Sequence, residues 1–261
     1  MQALHTSATG MQAATTNIDV IANNLANQNT SAYKRKRAEF QDLLYVHKQH
    51  VGTQTSDTGT IKPTGIQIGL GVSTGAVYGI YEQGPMEQTD SAFDMAINGR
   101  GFFKVTLPDG TESYTRAGSF QVNAEGLIVT TEGYTVSPGI TIPSNVLDVT
   151  INASGEVLVN IQGQTTPSNL GQFELINFIN EAGLENIGGN LLLETDASGT
   201  PTTGVAGLEG FGTILQGSVE GSNVNAVSEL TNMIKAQRAF EMNIKVMEAA
   251  DESMRNLNQV A

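Results

Sequence analysis

The chain has 261 residues, enough to bury a sizeable core and close to the length at which one domain commonly becomes two. Its formal net charge of −13 favours solubility and argues against nucleic acid as the main partner. Cysteine is absent, which excludes a disulfide framework, a thiolate metal site and a thiol nucleophile.

The opening stretch, MQALHTSATGMQAATT, lacks a basic segment followed by an apolar one, so no secretory signal peptide is expected. No run in the chain approaches the roughly 18 apolar residues of a membrane span. Leu4, Ala8, Met11, Thr15, Ile18, Ala22 and Leu25 instead recur in alternating steps of four and three, and Ala14 and Ile21 widen the stripe. This spacing predicts a helix from Leu4 to Asn27, about 36 Å long at ~1.5 Å per residue, weakened locally by Gly10.

The rest of that helix is unusual. Ser7, Thr16, Asn17, Asn23, Asn24 and Asn27 occupy its far face, and Asp19 is the one carboxylate among the first 33 residues, which have no lysine or arginine. A wet helix face is normally covered by Lys, Glu and Arg. Amides and hydroxyls can be buried where they find partners, whereas an unpaired charge cannot be buried cheaply. The segment therefore reads as disordered in an isolated chain and packed on every side in an assembly.

Four basic residues, Lys34 to Arg37, follow together beside Tyr33. In an acidic chain they are weak evidence for nucleic acid and read as a solvated face or an intersubunit contact. Residues 46–80, rich in Gly, Thr and Gln, read as an extended connector. Within it, His47 and His50 are three residues apart with only Asp42 near them, too few ligands for a metal site. GLGVSTG at 69–75 is one residue longer than a dinucleotide-binding glycine motif and lacks its following helix.

The middle of the chain reads as β-structure. PDGT (108–111), NAEG (123–126), NASG (152–155) and DASG (196–199) mark hairpin turns. Between them lie β-rich runs at 102–106, 120–122, 127–130, 147–151, 157–161 and 173–178. In LDVTI, Leu147, Val149 and Ile151 fall on one side, as in a half-buried strand. Residues 81–221 hold 17 acidic and 3 basic residues, a net of −14, so the acidity of the protein resides here. No two carboxylates stand out as a glycosidase pair.

A second 4-3 rhythm runs through Ala226, Leu230, Met233, Phe240, Ile244, Met247 and Met254, interrupted by Gln237 and Asp251. It predicts a C-terminal helix of about 50 Å, capped by Ser222 or Asn225. The fold class is thus α+β. Terminal helices pack as a coiled-coil-like pair, with an inserted, mainly antiparallel β-domain and an extended connector. Such an arrangement is unusual for an enzyme.

ANNLANQNTSAYKR (22–35) resembles the N-terminal signature of the flagellar rod and hook proteins. Its matching positions are Ala22, Asn23, Asn24, Leu25, Ala26, Asn27, Tyr33, Lys34 and Arg35. AINGRGFFKV (96–105), YTRAGSF (114–120) and EGSNVNAVSELTNMIKAQRAFEMNIK (220–245) are similar to further landmarks of the family, so the likeness runs end to end. Where the family commonly has Asn-Gly-Phe, this chain has Ser31-Ala32-Tyr33, and Ala32 cannot use the positive φ of glycine freely. A length near 260 excludes the usual, longer hook protein. Residues 52–72 resemble the segment that sets the distal-rod branch apart.

The resemblance implies an inner tube built from residues 1–30 and 222–261, an intermediate domain at 31–80 and an outer β-domain at 81–221. Leu4, Met11, Ile18, Ile21, Leu25, Leu230, Met233, Phe240, Ile244 and Met247 would then pack subunits together, and Ile61, Pro63, Ile66 and Ile68 would stiffen the rod. The implied function is structural: a helically assembled, rigid, hollow drive shaft that transmits torque and leaves an export channel. No catalytic, cofactor or metal site is expected, and neither is nucleic acid or membrane insertion. The implied partners are further copies, proximal rod and hook-side proteins, the surrounding rings and the flagellar type III export apparatus. The implied location is the basal body across the periplasm. The alternatives are a proximal rod subunit of the same family or a β-domain that binds or hydrolyses cell-wall glycan.

Overall fold

The computed structural model describes residues 2–49, 64–163 and 166–260. By contacts the chain divides into two units. One comprises Met1–Ala26, Lys36–Tyr78 and Asn225–Ala261, and the other Asn27–Arg35 and Gly79–Val224.

The first unit holds both long helices. α1 spans Gln2–Ala26 and α2 spans Ala226–Val260, and they pack against each other. Of the two cap candidates, Asn225 caps the helix. Its Oδ1 accepts the Ser228 N–H at 3.1 Å, satisfying one orphan donor of the first turn. Among its described residues the same unit also holds four strands: β1 (Lys36–Asp42), β2 (Tyr45–Gln49), β3 (Ile66–Gly69) and β4 (Val72–Gly79). β1 pairs with β4, and β2 pairs antiparallel with β3. Bonds from Leu43 N–H to Gly71 O (2.9 Å) and from Leu70 N–H to Leu44 O (3.1 Å) link the two ladders into one ribbon.

The helix pair follows a different line from the most apolar stripe. Ser7, Ala14, Ile21 and Asn24 are the buried residues of α1, while Ala8, Thr15 and Ala22, each directly after a buried position, are exposed. On α2, Glu229 and Ala236 are buried, and Leu230 is 47% exposed. The reason is distance. A Cβ on Gly10 would come within 2.9 Å of the Asn243 amide, so the helices meet through small and hydrogen-bonding side chains. Leu230 and Ile234 are left exposed.

The second unit is a β-domain in which every described strand pairing is antiparallel. Its largest sheet is built around the strand Phe102–Thr106, which pairs with Glu112–Thr115, Thr135–Val136 and Glu174–Asn177. A three-stranded sheet joins Val146–Ile151, Glu156–Ile161 and Ser168–Gln172. Three of the four predicted hairpin turns are present: in PDGT, for example, Leu107 N–H bonds to Thr111 O at 3.0 Å, with Gly110 at φ +84°. DASG also turns the chain, but the strands on either side of it, Leu191–Leu193 and Thr202–Val205, pair with other strands and not with each other. In LDVTI, Val149 and Ile151 are buried, but Leu147 is exposed. A register shift between Val146 and Asp148 breaks the alternation there, and Val146 takes the inward place.

Two apolar clusters fill this unit. The larger gathers Met95, Ile97, Phe103, Phe120, Phe173, Ile214 and their neighbours, and the smaller gathers Phe102, Tyr114, Ile176, Phe178, Leu184 and Leu192. Edge-to-face ring contacts join Phe102 to Tyr81 and Phe178, and Tyr114 to Phe178. Burial pushes the Tyr81 phenol up to about 12 and raises that of Tyr114 as well.

Candidate functional site

Lys34, Arg116 and Glu220 come from three distant parts of the sequence and meet in the β-domain unit. The Glu220 carboxylate is fully buried. Its Oε1 accepts the Lys34 ammonium at 2.6 Å and the Gly84 N–H at 2.8 Å, and its Oε2 accepts Arg116 Nε at 2.5 Å. The rest of the Arg116 guanidinium donates to the carbonyls of Gly101 (3.0 Å), Gly99 (2.5 Å) and Ile97 (3.2 Å). Lys34 also donates to Glu82 O at 2.8 Å. Burial lowers the Lys34 pKa, and the bond to Glu220 works against that shift. A carboxylate with this many charged donors is a fastening: removing it would leave two buried cations without a counterion.

Backbone bonds reinforce the fastening. Ala32 N–H donates to Glu220 O at 2.7 Å, Asn223 N–H to Tyr33 O at 3.3 Å, and Arg35 N–H to the Asn223 side chain at 2.7 Å. Asn223 Nδ2 in turn donates to Ile80 O and Glu82 O. Three passages of chain, 32–35, 80–84 and 220–223, are thereby tied together. Ala32 accepts the turn that glycine would make more cheaply: its φ is +58°.

The first unit has its own polar node. Asn24 is almost fully buried; its Oδ1 accepts Lys36 N–H at 2.8 Å, and its Nδ2 donates to Lys36 O at 2.8 Å and to Glu229 Oε2 at 3.2 Å. The hydroxyls of Thr6, Ser7, Thr15 and Thr16 bond back to carbonyls of their own helix. On the uncharged face of α1, Ser7 and Thr16 thus satisfy their hydroxyls within the helix, while Asn24 finds its partners on β1 and α2.

The basic run divides between these nodes. Lys34 belongs to the Glu220 fastening, Arg35 and Lys36 contribute backbone bonds, and Arg37 is exposed. Of the residues expected to pack subunits, Ile21 is buried by its own chain. Leu4, Met11, Ile18, Leu25, Met233, Phe240, Ile244 and Met247 are half-buried, and Leu230 is exposed. Val227, Ile234, Met242 and Val246 add further exposed apolar positions to α2. Ile66 is exposed and Ile68 half-buried on β3, whereas Ile61 and Pro63 lie outside the described residues. His47 lies on β2, and His50 is also outside the described residues. Among the described residues no group of His, Asp, Glu or Cys could hold a metal ion, and no helix is long and apolar enough to cross a membrane.

Sequence patterning did not single out Glu220 or Arg116 as partners. The usable signal was scarcity: Arg116 is one of three basic residues among seventeen acidic ones in residues 81–221.

Comparison with known proteins bears on these segments directly. Residues 4–34 match a family model described as flagella basal body rod protein, residues 96–159 one for the flagellar hook protein FlgE/F/G D1 domain, and residues 215–260 one for the flagellar basal body rod FlgEFG protein C-terminal. Lys34, Arg116 and Glu220 each fall within one of the three. The chain is 54% identical to the flagellar basal-body rod protein FlgG of Caulobacter vibrioides, over 100% of this chain and 99% of that one. The chain belongs to the FlgG family of flagellar basal-body rod proteins. Agrobacterium fabrum supplies a FlgG relative at 48% identity over 97% of this chain and 96% of its own. The flagellar basal-body rod protein FlgF of Caulobacter vibrioides is more distant, 33% identical over 92% of this chain and 89% of its own. Membership makes the chain a structural rod subunit of the flagellar basal body.

Proposed function

We propose that this chain polymerises helically into the distal rod, a rigid and hollow shaft that transmits torque and leaves a central channel for export. The observation that carries the reading is the apolar surface a single copy leaves open on α2. Val227, Leu230, Ile234, Met242 and Val246 are all exposed, on a helix whose other side already packs on α1. Large apolar side chains left exposed along one helix mark a place for a protein partner. Identity of 54% to FlgG against 33% to FlgF of the same organism favours the distal over the proximal subunit.

In this reading residues 1–30 and 222–261 make the inner tube, 31–80 the intermediate domain and 81–221 the outer domain. Leu4, Met11, Ile18, Leu25, Leu230 and Ile244 pack between copies, and the segment with Ile61, Pro63, Ile66 and Ile68 resists bending. The chain performs no catalysis. Its partners are other copies, proximal rod and hook-side proteins, the rings around the rod and the type III export apparatus. The test is assembly: purified chain, concentrated or seeded, forms straight tubular filaments visible by electron microscopy. A chain that stays monomeric under all such conditions contradicts the reading.

A further inference from the structure

We propose that Asn98–Gly99 is a latent deamidation site and that the Gln83 side chain keeps it closed. The inference goes beyond assembly and holds for a single copy of the chain.

Among the asparagines of this chain, Asn98 alone precedes glycine. An Asn-Gly pair is labile because the glycine nitrogen has no side chain beside it to hinder ring closure. In the reaction the Gly99 backbone nitrogen gives up its proton and attacks Asn98 Cγ. A new N–C bond forms, the side-chain nitrogen leaves as ammonia, and a five-membered succinimide results. Water then adds to either ring carbonyl and opens the ring to aspartate or isoaspartate. Water is the sole co-reactant, and Asn98 is exposed to it.

In the fold the attacking nitrogen is engaged. Asn98 ends the strand Met95–Asn98, one edge of which pairs with Thr213–Gln216. On the other edge Gln83 lies across the labile pair. Its Oε1 accepts the Gly99 N–H at 3.1 Å, and its Nε2 donates to Ile97 O at 3.2 Å, with a longer contact to Asn98 Oδ1 at 3.5 Å. A side-chain amide thus stands where a neighbouring strand would, donating on one side of Asn98 and accepting on the other. Ring closure has to release the Gly99 proton from Gln83 and abandon the strand geometry. The glycine cannot be traded for a less labile neighbour. Its φ is +114°, and a Cβ there would come within 2.8 Å of Gly212 Cα. Protection therefore falls to Gln83.

The position makes the modification consequential. Ile97 O and Gly99 O both accept Arg116 Nη2. Isoaspartate would insert a methylene into the main chain between those carbonyls and separate two acceptors of the guanidinium that fastens Glu220.

Ageing in mildly alkaline buffer, followed by peptide mass mapping, tests the proposal on full-length chain. Folded wild type is expected to deamidate at Asn98 more slowly than wild type unfolded in urea. Gln83→Ala is expected to react roughly three- to tenfold faster than folded wild type, the change in open population for one or two lost hydrogen bonds. Leu192→Ala removes a buried side chain from the smaller apolar cluster, leaves Gln83 in place and measures the effect of lost stability alone. Circular dichroism at the ageing temperature confirms that both variants remain folded. A Gln83→Ala rate equal to that of wild type, or no greater than that of Leu192→Ala, would overturn the guard. So would a wild-type chain that deamidates as fast folded as unfolded. The isoaspartyl product, separated by ion exchange, is expected to unfold at a lower temperature than the unmodified chain. Equal unfolding temperatures would overturn the link to Arg116.

Discussion

The two units of this protein are stabilised in opposite ways. In the β-domain, large apolar side chains such as Phe102, Phe103, Tyr114, Phe120, Phe173 and Phe178 are fully enclosed. Each of the three basic residues of 81–221 has a carboxylate partner: Arg100 with Glu181, Lys104 with Glu112, and Arg116 with Glu220. In the helix–ribbon unit, Ala14, Ile21 and Ala236 are the buried apolar residues among those described, while Leu230, Ile234, Met242, Val246 and Leu44 are exposed. Ordering a residue costs roughly 1–2 kcal/mol of backbone entropy, which so small a core cannot offset alone. The difference separates a unit whose apolar core is complete within one chain from one whose apolar core is not.

The largest effect is expected at Glu220. Glu220→Ala leaves Lys34 and Arg116 buried without a counterion, at a cost of about 3–5 kcal/mol. Calorimetry should show the β-domain transition falling by roughly 10 °C or more. A shift of a degree or two would mean that the fastening contributes little and that the β-domain is held by its apolar clusters alone.

Leu230→Asp inverts that pattern. The side chain is exposed in the single chain, so monomer stability should change by no more than about 0.5 kcal/mol. Assembly should nevertheless be lost, because each interface would bury an unpaired carboxylate. Light scattering measures the second effect and thermal unfolding the first. Normal filaments from this variant would remove α2's outer face from the interface.

Much of this division was legible in the sequence. Both helices, the hairpin turns at PDGT, NAEG and NASG and the acidity of the middle are written in periodicity and composition. The line along which the helices meet was harder to read. A hydrophobic stripe points to Leu230, but Gly10 and Asn243 bring the helices so close that Glu229 and Ala236 fill the contact instead. Leu147 misled for a related reason, since a bulge is invisible to a period-two pattern. The Glu220 fastening was hidden because no periodicity relates positions 34, 116 and 220, although each lies in a stretch that resembles the family. Asn24 shows the converse: its residue type signalled burial with partners, and its partners proved to be the Lys36 backbone and Glu229.

A smaller effect is expected with pH. Tyr81 and Tyr114 lie in the β-domain, and burial raises both phenols above the ordinary 10. Their contribution is intact below that value and is lost as pH rises from about 10 through about 12, since the unfolded chain ionises first. Lys34, lowered by burial, acts in the opposite sense and reduces the net slope. Denaturant midpoints followed by near-ultraviolet circular dichroism should fall across this window. Tyr81→Phe should flatten the fall, and an unchanged slope in that variant would show that Tyr81 titrates normally.

The smallest effect belongs to Ala32. At φ +58° an alanine carries strain that glycine does not, while glycine loses more entropy on folding. Ala32→Gly should therefore stabilise the β-domain by at most about 1 kcal/mol. Destabilisation would mean that the buried methyl group packs well enough to outweigh the strain.

The central claim is that one unit is complete in a single chain and the other is completed by further copies. A residue-resolution reconstruction of the assembled filament tests it most directly. The account predicts that Leu4, Met11, Ile18, Leu25, Leu230 and Ile234 become buried against neighbouring copies, while Lys34, Arg116 and Glu220 keep their partners within one chain. A filament in which those apolar residues still face solvent, or in which Glu220 takes its cations from another copy, would contradict it.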